Sequence, residues 1–180
     1  FYGEPEYESS VQPETPANRI ITSLFSPERF LFILRYGICY VEATDEEGIK
    51  RAQKHIMRYP QLFATKAVRA TLDAGRTKGV IWHTQGSGKT ALSYFLTRFL
   101  RDYYQARNRA TRFFFIVDRL DLADQAKAEF EARGAIVALA NSRDDFARAL
   151  KGAGEDTNAV SDERTPAITV VNIQKFDENS

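Results

Sequence analysis

The stretch that most constrains this chain is GVIWHTQGSGKT, running from Gly79 to Thr90. A short β-branched and aromatic run, KGVIWHT, reads as a buried strand, and KTALSYFLTRFLRDYY after it sets Leu92, Phe95, Leu96 and Phe99 at helical spacing. Strand, glycine turn and helix in that order aim the free N–H groups of the first helical turn, and the positive end of the helix dipole, at one point. Such a point is an anion site. Gly86 and Gly88 suit a loop that curls around phosphate with backbone angles or close approaches that side chains would block. Lys89 can then reach β- and γ-phosphates and the Thr90 hydroxyl can ligate Mg²⁺. The predicted nucleotide site is therefore Gln85, Gly86, Ser87, Gly88, Lys89 and Thr90, with Lys89 and Thr90 its catalytic members and Thr90 its metal ligand. The usual pattern has glycine where His83 stands. That position only begins the turn, so the motif survives, and His83 reads as a turn or packing residue. The plain alternative is a glycine-rich turn with an exposed lysine and no ligand.

The rest of the chain fits an α/β domain. With 180 residues, 43% of them hydrophobic and 27% charged, it can bury one core. A net charge of +1 gives no global sign of nucleic acid, so any such contact rests on local groups. The longest apolar run, FLFILRYGICYV, is broken by Arg35 and Gly37 and falls short of the roughly 20 residues a membrane span needs. No membrane partner and no signal peptide are expected. The single Cys39 excludes an internal disulfide and points to a reducing compartment, hence a cytoplasmic location. Phe1 in first place and Met57 as the one methionine suggest a piece of something longer.

Along the chain, the proline- and glutamate-rich residues 1–18 read as an extended linker. SPERFLFILRYG predicts a helix with Ser26 as N-cap, Pro27 first and Gly37 last, followed by the strand ICYVEA. PQLFATKAVRATLDAG predicts a helix from Pro60 with Leu62, Phe63, Ala67 and Leu72 on or near one face and Gly75 closing it. After the glycine turn and its helix come the strand RFFFIVD, the helix LDLADQAKAEFEARG, the strand AIVALA, the helix SRDDFARALKG, a polar loop GAGEDTNAVSDERTPA expected to be mobile, and the strand AITVVNIQKF. The alternation predicts a parallel sheet with flanking helices.

Taken together, RYPQLFATKAV, GVIWHTQGSGKT, FIVDRLDLADQ and VVNIQKF resemble consecutive signatures of the motor (restriction, R) subunit of type I restriction-modification enzymes, which are superfamily 2 helicase-like DNA translocases. The resemblance covers about residues 20–176, and IWHTQGSGKT is its most specific wording, His83 included. It implies a RecA-like motor domain that binds ATP and Mg²⁺, acts on double-stranded DNA and assembles with modification (methyltransferase) and specificity subunits. It divides the chain into a linker and short helical segment at 1–48, from an upstream nuclease domain, and the first part of the motor at 49–180. It also implies that Gln61 reads the adenine edge, as an amide able to donate and accept, and that Arg119 and Gln125 touch the DNA backbone. On the residues alone, Gln61 is equally an exposed polar residue at a helix start, Tyr59 is equally core, Asp118 can cap a helix and Arg119 can pair with a neighbouring carboxylate. Asn172 stands where the family usually has threonine, which leaves a DNA role there open.

The basic cluster Arg98, Arg101, Arg107, Arg109 and Arg112 reads as a solvated face and is given no site role. An acidic Mg²⁺ motif, a second motor domain's arginines and a nuclease constellation do not occur in these residues, so the fragment alone is expected not to turn over ATP. Two other functions fit the same residues: a different helicase-like DNA ATPase of the superfamily, and a non-catalytic nucleotide-binding assembly module.

Overall fold

In the computed structural model the residues described are 21, 24–44, 47–151 and 167–174. Helix α1 (Pro27–Tyr36) has Pro27 in its first turn, where a missing N–H costs nothing. Ser26 makes no side-chain cap, contrary to its reading as an N-cap; only its carbonyl joins the helix, accepting the Phe30 N–H. Gly37 ends α1 at φ −93°, so its value lies in space. A Cβ there would stand 3.2 Å from that of Met57.

Strand β1 (Ile38–Thr44) was expected; its partner β2 (Lys50–Ile56) was not. The two form an antiparallel hairpin from Ile38↔Ile56 to Thr44↔Lys50. Every β2 residue is exposed, so KRAQKHI carries no apolar alternation for a sequence reading to detect. The division drawn at residue 48 falls in the turn of this hairpin.

Helix α2 (Tyr59–Asp73) begins one residue before Pro60 and buries Gln61, Leu62 and Thr65. Ala67, expected on its inner face, is exposed. Gly75, at φ +76°, adopts the left-handed backbone that ends the helix. Helix α3 (Lys89–Gln105) follows the glycine loop and buries Leu92, Phe95 and Phe99, close to the predicted stripe.

The one clear overturn of the predicted elements lies between these helices. Residues 76–84 form no strand and pair with no sheet, and Val80 and Trp82 are 87% and 90% exposed. Apolar content made the segment look buried, but a strand needs a hydrogen-bonding neighbour, and the three strands of the described sheet pair only among themselves.

Those three are β3 (Phe113–Val117), β4 (Val137–Ala140) and β5 (Ile168–Asn172), all parallel in the order β3-β5-β4. β5, the most recent in sequence, is central and almost wholly buried. Helix α4 (Leu120–Glu131) returns the chain from β3 to β4, and α5 (Arg143–Lys151) leaves β4 toward β5. The pleat alternates the faces of β3. Phe113 and Phe115 pack with Phe130 of α4, whereas Phe114 meets Phe146 of α5 edge-on at 5.5 Å. The sheet therefore lies between helices on both faces, as the alternating strands and helices implied. The expected linker at 1–18 and most of the expected mobile loop before β5 lie outside the described residues.

Two apolar clusters hold the chain. One joins Ile33, Cys39, Met57, Leu62 and Phe95; the other joins Ala123, Ala126, Phe130, Ile168 and Val170. Tyr94 packs against both and donates from its hydroxyl to the Arg133 carbonyl at 2.9 Å. Polar ties fasten α1 to α3: Arg35 pairs with Asp102 at 2.8 Å, Tyr36 donates to the same carboxylate, and Arg98 donates to the carbonyls of Ile38 and Arg35. Arg107 joins Asp73 across α2 and α3, and Arg112 donates to the Ala149 carbonyl. Three of the five arginines denied a site role are thus structural.

Phe130 is 1% exposed and stacks edge-on with Phe115 at 5.3 Å. Phe130→Ala should cost about 3–5 kcal/mol, visible as a lower midpoint in guanidinium unfolding; a midpoint within error of the parent would show that the second cluster does not hold the sheet.

Candidate nucleotide-binding site

The loop from His83 to Gly88 owes its shape to two glycines. Gly86 at φ +73° and Gly88 at φ +78° both sit in the left-handed region, which costs other L-residues about 1–2 kcal/mol. Gly88 is also the N-cap of α3 and has no side chain to offer as a cap. The first N–H groups of α3 therefore lack intrahelical acceptors and face outward at the positive end of a 17-residue helix.

Inside the loop, Lys89 turns back: its ammonium donates to the Thr84 carbonyl at 2.9 Å and the His83 carbonyl at 3.4 Å. A lysine held by carbonyls of its own loop is available to an anion with more charge to offer. Ser87 Oγ and His83 Nδ1 are buried and have no hydrogen-bond partner. Unspent buried polar groups are expensive, and this loop holds two of them. Thr90 lies partly exposed in the first turn of α3, while Gln85 and Gly86 are exposed.

Gln61 is brought to this loop from α2. Its Nε2 donates to the Gly88 carbonyl at 3.0 Å, the same oxygen that accepts the Leu92 N–H. Its Oε1 accepts the Arg58 N–H at 2.9 Å. At 3% exposure it is not the exposed polar residue that a helix start suggests. Its amide keeps one Nε2 proton and one Oε1 lone pair beyond these two bonds. Gln61 also lines a cavity of about 420 Å³ that reaches Gly88 on one side and Arg133 on the other. Arg133, just past α4, is a pocket residue that sequence reading missed; nothing local marks it, since only folding brings the end of α4 beside the loop.

Arg119 and Gln125 stand apart from this loop. Arg119 is the N-cap residue of α4, and its guanidinium donates twice to Asp121; both side chains of the pair are 63% exposed. The pairing with a neighbouring carboxylate is thus the one realised, and Asp118 does not cap the helix. Gln125 lies exposed further along α4. At the carboxyl end of central β5, Asn172 is buried; its Oδ1 accepts the Gln174 N–H and its Nδ2 finds no partner.

Comparison with known proteins decides the family. The SWI2/SNF2 ATPase family matches residues 60–180, a span that begins at Pro60 and takes in Gln61, the glycine loop and the sheet. The chain belongs to this ATPase family. It is 39% identical over 114 residues to the type I restriction enzyme MjaVIIP endonuclease subunit of Methanocaldococcus jannaschii, covering 61% of this chain and 10% of that protein. It is 30% identical over 177 residues to the MjaVIIIP endonuclease subunit of the same organism, covering 88% of this chain and 16% of that one. The type I restriction enzyme SauCOLORF180P endonuclease subunit of Staphylococcus aureus is 34% identical over 82 residues. This chain therefore spans only a small part of the length of these relatives. No solved structure matches. Membership in an ATPase family implies nucleotide use. No helix of the described residues is long and apolar enough to cross a membrane.

Gly88 permits a direct test of the loop. A Cβ there would fall 2.7 Å from Gln61 Nε2 and would be strained at φ +78° besides. Gly88→Ala should weaken nucleotide binding by about tenfold, measured by calorimetry; unchanged affinity would mean that this loop conformation is not the binding one.

Proposed function

We propose that this chain is the ATP-binding motor portion of the restriction subunit of a type I restriction enzyme, which drives ATP-dependent translocation of double-stranded DNA before endonucleolytic cleavage. The observation that carries the reading is the loop itself: two left-handed glycines, a lysine parked on loop carbonyls and open N–H groups at the head of α3. The names of the relatives support the restriction context.

Gln85 to Thr90 bind the triphosphate, with Lys89 leaving the Thr84 and His83 carbonyls to bridge β- and γ-oxygens. The unspent Ser87 Oγ fits such a ligand. Thr90 holds Mg²⁺ through its hydroxyl. Among the described residues no cluster of three or more His, Cys, Asp or Glu could hold a metal, so Thr90 would be the ligand that this part of the chain offers Mg²⁺. When bound, Mg²⁺ neutralises charge developing on the phosphoryl oxygens. Gln61 reads the adenine edge with its remaining proton and lone pair. Arg119 and Gln125 meet the DNA backbone from the carboxyl end of β3, Arg119 exchanging Asp121 for phosphate.

The domain division follows the same reading, with a nuclease domain upstream of the linker. Helix α1 and strand β1 share an apolar cluster with α2 and α3, which supports moving the start of the motor ahead of residue 49. The working partners are the modification and specificity subunits and double-stranded DNA, in the cytoplasm.

Lys89→Ala in the complete subunit should lower DNA-stimulated ATP hydrolysis by at least about a hundredfold while leaving assembly with the other subunits intact. Normal hydrolysis would refute the motor reading, and lost assembly with hydrolysis unaffected would favour a nucleotide-dependent assembly module. The 180 residues by themselves should show no useful turnover, because no acidic Mg²⁺ motif lies among them; robust hydrolysis by the fragment in a phosphate-release assay would contradict this.

A further inference from the structure

Arg119 meets the solvent as one cation among carboxylates. At the carboxyl end of β3 the chain runs through Asp118 and Arg119 into the first turns of α4, where Asp121 and Asp124 follow, and all four residues are exposed. The next cation on the helix, Lys127, is paired with Glu131 at 3.7 Å. Three carboxylates around one guanidinium repel a polyanion more than they attract it.

Asp121 does more than repel. The Arg119 guanidinium gives it two parallel bonds, Nε to Oδ1 at 3.1 Å and Nη2 to Oδ2 at 2.7 Å. This is the same fork that arginine offers a phosphate. Arg119 is the N-cap residue of α4, extended at φ −126° and ψ 141°, and Asp121 lies in the first turn of that helix, where the positive end of the dipole favours a carboxylate. The fork is thus filled by a group built into the same turn. Both side chains are 63% exposed, and an exposed pair of this kind is weak enough to be exchanged.

We propose that Asp121 is a built-in competitor for the DNA phosphate, a positioning residue that holds the Arg119 fork until a backbone phosphate displaces it. This rests on the reading of Arg119 as a DNA-backbone contact and adds the residue that regulates it. Charge alone gives such a contact two properties. It is weakened, since Arg119 gives up a carboxylate for each phosphate it takes. It is also insensitive to salt, because a pair that is already neutral leaves the local net charge unchanged on binding and releases few counterions. A motor that moves along DNA breaks every backbone contact it makes, and a carboxylate two residues away gives the guanidinium somewhere to return.

The test follows binding of a fluorescent DNA duplex to the complete subunit by anisotropy across a salt series, in the parent and in Asp121→Asn, each with and without Arg119→Gln. Both positions are exposed, so the variants are expected to fold. In the parent, Arg119→Gln should weaken binding by less than about twofold; with Asp121→Asn in place the same change should weaken it by about fivefold or more. The slope of log K against log salt should be steeper by about 0.9 in Asp121→Asn than in the parent. Asp121→Glu, which keeps the charge, should behave as the parent does. An equal loss from Arg119→Gln in both backgrounds, or an unchanged slope, would show Arg119 binding DNA without a competitor and overturns the proposal alone. No loss in either background would instead overturn the reading of Arg119 on which the proposal stands.

Discussion

Helix α3 is the shared wall of the molecule. Its buried side puts Phe95 into the cluster built from α1, β1 and α2, while neighbouring Tyr94 also packs against the cluster of the sheet and α4. The N-terminus of the same helix is where the glycine loop ends, at Gly88. Packing and chemistry are thus imposed on one rod: the apolar stripe fixes where it lies, and that placement fixes where its open N–H groups point. Gln61 tightens the arrangement, since it holds the first helical carbonyl from a neighbouring helix and is itself fully buried.

Much of this was legible in the sequence because local physics and the fold agree. Gly86 and Gly88 were read as backbone requirements and both adopt left-handed angles. The stripe of α3 follows directly from periodicity. What escaped the reading depends on partners distant in the chain. Val80 to Trp82 looked like a buried strand because composition reports apolarity, whereas a strand is a relation between two segments. β2 went unseen for the opposite reason: it is a true strand without an apolar face.

The candidate site divides along the same line. The loop residues announce themselves by spacing, and Gln61 by the family pattern it resembles, but the burial of its amide and its bond to Gly88 are tertiary facts. Arg119 shows why charge alone is a poor guide, for its guanidinium is already engaged by Asp121 two residues on. Arg133 gave no signal at all, since it follows a helix whose sequence speaks only of packing on the sheet.

The fastening of α1 to α3 has a mechanical meaning. Arg35 and Tyr36 grip Asp102, and Arg98 reaches back to the carbonyls where α1 gives way to β1. Because the grips sit at more than one height on α3, at Arg98 and at Asp102, they resist twist as well as separation. Helix α1 is thus joined to α3 as one braced pair rather than tethered to it at a single point.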